Sequence, residues 1–239
     1  VIARRLGAGD RDSVKRLCSH SILLGLVIVL TLAGAGVMFS PFLFTLLGAS
    51  AEIRQLIDQY MTIWFVGVPF FATSTICTNL MRATGNASVP GIIMALGSLI
   101  QVLLAPLLIF GMFGLPELGI QGAALSFVAG GVVPLLIGLY WLAIRERLLS
   151  WSLTDVWTSW RDILHVGLPS MATSLVGPVA SGIITRLLAG HGEAVVAGFS
   201  IAMRADMFIM MVLMATASAL GPFVGMNWGA RKYDRALSA

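Results

Sequence analysis

Six stretches of the chain carry no charged residue: 17–51, 59–81, 83–116, 118–144, 163–185 and 207–230. Each reaches the roughly 20 apolar residues that a helix needs to cross a bilayer. VPGIIMALGSLIQVLLAPLLIF shows no period of two, so the alternating strands of about 10 residues that build a membrane barrel are excluded. The pattern predicts helices over 20–46, 57–81, 89–112, 119–144, 163–188 and 194–224. Composition agrees: 58% hydrophobic and 11% charged residues lie outside the soluble range of about 45–50% and about 25%. The expected fold class is all-α, a polytopic membrane protein with six transmembrane helices.

The connectors alternate in charge. One side collects Arg4, Arg5, Arg11, Lys15, Arg16, Arg82, Arg145, Arg147, Arg161, Arg231, Lys232 and Arg235, and the other only Arg54 and Arg186. The positive-inside rule makes the first side cytoplasmic. The net charge of +4 thus belongs to loops facing an anionic leaflet, and no soluble basic face for nucleic acid is present. The opening residues, VIARRLGAGDRDSVKR, read as the end of an earlier helix followed by a basic loop, and the chain is expected to be truncated. Cys18 and Cys77 fall in different segments, so no disulfide is expected.

RERLLSWSLTDVWTSWRD, residues 145–162, is the long polar connector. Leu149, Leu153, Val156, Trp157, Trp160 and Leu164 recur there at helical spacing, which predicts an amphipathic helix on the inner surface with Trp151, Trp157 and Trp160 at headgroup depth. The expected division is 1–144, four helices closing one lobe with the loop before them; 145–162, a cytoplasmic linker; and 163–239, two helices opening a second lobe. A short echo supports it. LGAGDRDSVKR at 6–16 and WGARKYDRALS at 228–238 match at Gly7/Gly229, Ala8/Ala230 and Asp12/Asp234 with one offset of 222. Pro41, Pro69, Pro106, Pro134, Pro169, Pro178 and Pro222 sit inside predicted helices, where neighbouring helices or water can meet the freed carbonyls. Gly221, Gly225 and Gly229 form a seam for close helix approach.

No HExxH, GxxxxGK[ST], CxxC or GxSxG occurs, and His20, His165 and His191 lie far apart at predicted membrane edges. Enzymatic chemistry and a metal site are therefore not expected. Two charges remain inside the last span. Asp206 lies twelve residues into 194–224, about 18 Å from the outer boundary at 1.5 Å per residue. A carboxylate at that depth costs about 2.5–3.5 kcal/mol on insertion scales, which is why such groups face bundle interiors or wet cavities and mark ion routes. Arg204, two residues earlier, points elsewhere on the helix, so the two do not form a simple pair. Met203, Met207, Met210, Met211 and Met214 follow at helical spacing, a flexible and polarizable wall that re-packs around varied ligands. A flexible apolar wall with one negative charge suits hydrophobic cations. Gln101, mid-helix, is expected to hydrogen-bond between helices, and Asp58 and Arg186 to mark helix boundaries.

The strings LMRATGNASVP (80–90), LIFGMFGLPELGIQGAALS (108–126), VGLPSMATSL (166–175), IAMRADMF (201–208) and GPFVGMNWGARKYDRA (221–236) resemble the multidrug and toxic compound extrusion (MATE) transporters. The resemblance implies a twelve-helix, two-lobed antiporter of the bacterial inner membrane, of which this chain would be helices three to eight. It implies alternating access and the export of organic cations or drugs in exchange for H⁺ or Na⁺ by a monomer without a cofactor. Many members carry a cation-binding glutamate about two turns beyond the Gly-Leu-Pro of the seventh helix. Here SMATSLVGPVASG follows Gly167, Leu168 and Pro169 and holds no acid. Arg204 and Asp206 match the family's Arg-x-Glu/Asp, and Asn227, Gly229 and Ala230 its Gly-Gln-Asn-x-Gly-Ala turn, with Met226 in place of Gln. The rivals are a lipid-linked oligosaccharide flippase of related fold, which would want a cationic cavity, and a membrane-embedded enzyme, which would want clustered Asp, His or Ser.

Overall fold

The structure, a computed structural model, describes residues 1–46, 51–150, 152, 154–189 and 193–237. Trp151, Leu153 and His191, and the side chains of Arg54 and Arg186, lie outside the described residues. Eight α-helices follow in order: α1 (Ile2–Gly7), α2 (Arg11–Leu46), α3 (Ala51–Ala83), α4 (Ser88–Phe110), α5 (Ile120–Tyr140), α6 (Val156–Ala189), α7 (Glu193–Gly229) and α8 (Tyr233–Leu237). Among the described residues Arg11–Ser40, Gln55–Ala83, Ser88–Phe110, Ile120–Arg145 and Val156–Thr185 are long and apolar enough to cross a membrane. The sixth expected span coincides with α7.

Several helices outrun their predicted limits, because charged turns end the apolar stretch without ending the backbone hydrogen bonding. α2 begins at Arg11, capped by Asp10, whose carboxyl accepts the Ser13 N–H at 3.1 Å. Hydrogen bonds from the Ser13 hydroxyl and N–H hold Asp10 below its ordinary value of 3.8, so this cap weakens only as pH falls through the acid range. α3 begins at Ala51, which places Asp58 inside the helix rather than at its start. The expected surface helix of the connector is also corrected. Residues 146–150 are not helical, and Val156–Asp162 form the first turns of α6. Of its side chains, Ser159 and Trp160 face α2, whose His20 they contact, whereas Trp157 is exposed.

α5 is the centre of the first bundle, packed chiefly on α3 and α4. Its buried residues are Gly122, Ala124, Ser126, Gly130, Gly131, Pro134 and Gly138, and small side chains are what let helices approach closely in lipid. A Cβ on Gly131 would come within 3.0 Å of the Phe71 backbone nitrogen, and one on Gly97 of α4 within 2.8 Å of the Gly130 carbonyl. Nearer the charged end, Val14, Leu17, Cys18, Cys77, Leu80, Met81, Ile93 and Leu142 form the buried apolar cluster, with both cysteines free.

The echo at offset 222 is a repeated turn. Past α1, Ala8, Gly9 and Asp10 donate to the carbonyls of Arg4, Leu6 and Arg5; past α7, Ala230, Arg231 and Lys232 donate to Met226, Trp228 and Asn227. The positive backbone angle falls at the same place, φ 82° at Gly9 and 57° at Arg231. The two helix ends cross each other reciprocally. A Cβ on Gly7 would meet the Met226 carbonyl, one on Gly229 the Arg4 carbonyl, and one on Gly225 the Ala3 Cβ. Residue i against j and j's counterpart against i's is the signature of a two-fold contact. Of the predicted glycine seam, Gly225 and Gly229 are in this crossing, whereas Gly221 faces open space. Gly7→Val and Gly229→Val should each destabilise the protein by about 1–3 kcal/mol, as overpacking does, and by similar amounts. Thermal unfolding of the purified full-length protein in detergent checks this; a neutral Gly7→Val would show that the crossing is not close-packed.

Candidate functional site

Besides the crossing, three features build the charged end. The first is the α3–α4 turn, where Thr84, Gly85 and Asn86 donate to the carbonyls of Leu80, Arg82 and Met81, with Gly85 at φ 93°. This repeats the hydrogen-bond pattern of the α1 and α7 ends. The second is Glu146, which ends the π turn Trp141–Arg145 that continues α5. Its carboxylate accepts hydrogen bonds from Thr84 Oγ1 at 3.1 Å, Trp141 Nε1 at 3.2 Å and Asn86 Nδ2 at 3.4 Å. One acid thus ties the α3–α4 turn to the end of α5.

The third is the connector's anchorage on α2. His20 is buried, with Nδ1 2.9 Å from Ser159 Oγ and Nε2 3.0 Å from the Ser152 carbonyl. Trp160 Nε1 donates to the His20 carbonyl at 3.1 Å, the Ser150 N–H to Ser19 Oγ at 2.8 Å, and Arg16 pairs with Asp155 at 2.9 Å. His20 is therefore a packing residue between two elements, not the interfacial group that its position suggested; His165 is exposed.

Between these features and α7 lies a cleft of about 440 Å³ lined by Arg82, Gly85, Ala87, Gly91, Ser218, Pro222, Phe223 and Met226, inside the range of about 300–1,000 Å³ usual for small-molecule sites. Met226 closes one edge, its methyl 3.5 Å from where a Gly85 Cβ would stand. No proline interrupts residues 204–218, so the stripe above Ser218 can be counted at about 100° per residue. Met207, Met211, Met214 and Arg204 fall within about 40° of Ser218, Met203 and Met210 at about 60–80°, and Asp206 about 120° away. All but the half-buried Met203 are exposed.

The predicted site residues are therefore divided. Arg204 and most of the methionines fall on the α7 face that carries Ser218, further along the helix than the cleft lining, while Asp206 falls off that face, and no ion pair joins the two charges among the described residues. Gln101 stands on α4 beside Gly130, where a Cβ would meet its Oε1 at 3.7 Å; among the described residues no hydrogen bond reaches it. Arg82 and Glu146 went unassigned in the sequence reading. The signal available for Arg82 was its place in LMRATGNASVP, a turn string between two spans. A second opening, about 650 Å³ and apolar, lies along α2, α3 and α5 between Leu30, Val37, Phe65 and Phe70.

Long apolar helices packed around α5, with a further pair α6 and α7 set beside them, define a polytopic membrane protein. The chain belongs to the MATE family: the MatE family model matches residues 1–107 and 169–239. It is similar to a FAD transporter of Shewanella oneidensis, 33% identical over the whole of this chain and 53% of that protein. It is also similar to the probable multidrug resistance protein YoeA of Bacillus subtilis, 22% identical over 98% of this chain and 52% of that one. Among solved structures, an aspartate variant of the Vibrio cholerae MATE transporter VcmN matches with a TM-score of 0.92, 28% identity, and 99% of this chain against 53% of its own. The chain spans about half the length of the curated relatives it matches.

Glu146→Leu removes the shared acceptor of Thr84, Asn86 and Trp141 and should loosen the α3–α4 turn. Limited proteolysis of the full-length protein should cut at residues 84–87 several-fold faster in the variant, and an unchanged cleavage rate would rule out the clamp.

Proposed function

We propose that this chain forms the central part of a secondary exporter in the bacterial inner membrane, with residues 1–144 in one lobe, 163–239 in the second and 145–162 linking them. Alternating access moves the lobes about their charged ends, driven by exchange for H⁺ or Na⁺ and with no organic cofactor. The observation that carries this is the cleft, held between the α3–α4 turn and α7 and continued by a methionine stripe. Thioethers re-pack around flat apolar rings and contact aromatic rings favourably.

Two substrate classes are at issue. The names of relatives such as YoeA support drugs and other toxic organic compounds, cations among them. The 33% identical FAD transporter supports a flavin dinucleotide, and the polarity of the stripe favours this class: Arg204 lies on it and Asp206 off it. A cation beside methionines suits an aromatic anion better than an aromatic cation. Asp206, set apart from the stripe, is the candidate coupling carboxylate.

The full-length protein in proteoliposomes, under separately imposed proton and sodium gradients, should move FAD down the exchange direction, and ethidium more weakly. Movement of neither solute under either gradient would sink the exporter reading, and movement of ethidium alone would sink the dinucleotide reading. Asp206→Asn should reduce gradient-driven transport at least about tenfold while leaving equilibrium binding of the transported solute within about twofold. Wild-type transport in that variant would remove the coupling role.

A further inference from the structure

We propose that Arg82 is the phosphate-recognition residue of the cleft, receiving the phosphate of an anionic solute between the α3–α4 turn and α7. The inference rests on the dinucleotide reading above. Arg82 closes α3 and is half-buried at the cleft wall. Its Nη1 donates to Asn79 Oδ1 at 3.0 Å and its Nη2 contacts Met94 Sδ at 2.8 Å. Both are neutral partners, which orient the guanidinium without cancelling its charge. Among the described residues no carboxylate lies within ion-pair distance of it, and the nearby acid, Glu146, is taken up by Thr84, Asn86 and Trp141.

The rest of the lining fits an oxyanion. Among the described residues no acid lines the cleft, and Gly85, Ala87 and Gly91 leave backbone accessible at its wall, with no heavy atom within 4 Å of where a Gly91 Cβ would stand. The start of α4, at Ser88, brings the positive end of a helix of 23 residues to the same wall. Guanidinium is the side chain whose planar fork matches phosphate oxygens two at a time. Across the cleft, α7 offers Phe223 and Met226, an aromatic ring and a thioether for a ring system, so one solute that carries a phosphate and an aromatic ring touches both walls.

The test compares FAD with riboflavin, which shares the flavin ring and lacks both the phosphates and the adenosine, in proteoliposomes of the full-length protein. Arg82→Gln should raise the KM for FAD at least about tenfold and leave riboflavin and ethidium transport within about twofold; Arg82→Lys should recover part of the loss. An unchanged KM for FAD in Arg82→Gln, with wild-type FAD transport intact, overturns the inference alone. Absence of FAD transport by the wild type overturns the dinucleotide reading and the inference with it. Equal loss for all three solutes marks Arg82 as structural, and a loss that appears only in phosphatidylglycerol vesicles marks a lipid-phosphate contact; either result overturns the proposal.

Discussion

The close approach of two backbones at the charged end sets the geometry of the whole chain. At Gly7 and Gly229 no room exists for a Cβ, since carbonyl oxygens of Met226 and Arg4 occupy that space. Lipid tails are as apolar as leucine, so helix association in a bilayer draws on van der Waals contact and weak polar contacts, and bare backbone maximises both. The reciprocal form of the contact matters further. Because each helix end supplies the glycine and the carbonyl that the other lacks, α1 and α7 meet about a local two-fold axis. The position of α7 relative to the first bundle, and so the existence of the cleft, follows from that crossing.

Charge explains which residues of the α7 span merit a role. Arg204 and Asp206 each cost a few kcal/mol to insert in a bilayer, and a spacing of two residues keeps them from cancelling one another. Each must be stabilised separately, on a different side of α7. The side that Arg204 shares with Ser218 leads to the cleft that Arg82 also lines. Arg204 thus falls on the α7 face that carries Ser218 and Asp206 falls off it, and of the charged residues here Arg82 is the one that lines the cleft.

The spans, their number and the repeat were legible because they depend on local properties: the absence of charge over about 20 residues, and a turn string whose glycine and alanine recur 222 positions later. Helix ends were less legible. A charged residue stops the apolar pattern, yet α2 and α6 continue through Arg11–Arg16 and Arg161–Asp162 because their backbones are hydrogen-bonded regardless. The α5 seam was hidden for another reason. Gly122, Gly130, Gly131 and Gly138 sit in a uniformly apolar run, and only three-dimensional contact shows that two faces of that helix are packed tightly. The roles of Arg82, Glu146 and His20 were hidden because each has a partner 12 to 140 positions away, and pattern along the chain carries no information at that range.

Two anchors at the same end constrain how α6 and α7 can move. The connector is fixed to α2 by Arg16, Ser19 and His20, so the first turns of α6 travel with the first bundle. The lower end of α7 is held by α1, while beyond about Ile163 most of α6 is exposed and packs on α7 rather than on α2–α5. A rotation that spreads the far ends therefore leaves both anchors intact and must be taken up where α6 leaves α2, next to Pro169, whose missing N–H weakens the helix there. The opposite motion has to separate α1 from α7. The contacts at Gly7, Gly225 and Gly229 are between small residues and backbone, worth about 0.5–1 kcal/mol each. A cleft bounded at one end by a bendable helix and at the other by a glycine contact is the geometry that the proposed alternating access would use.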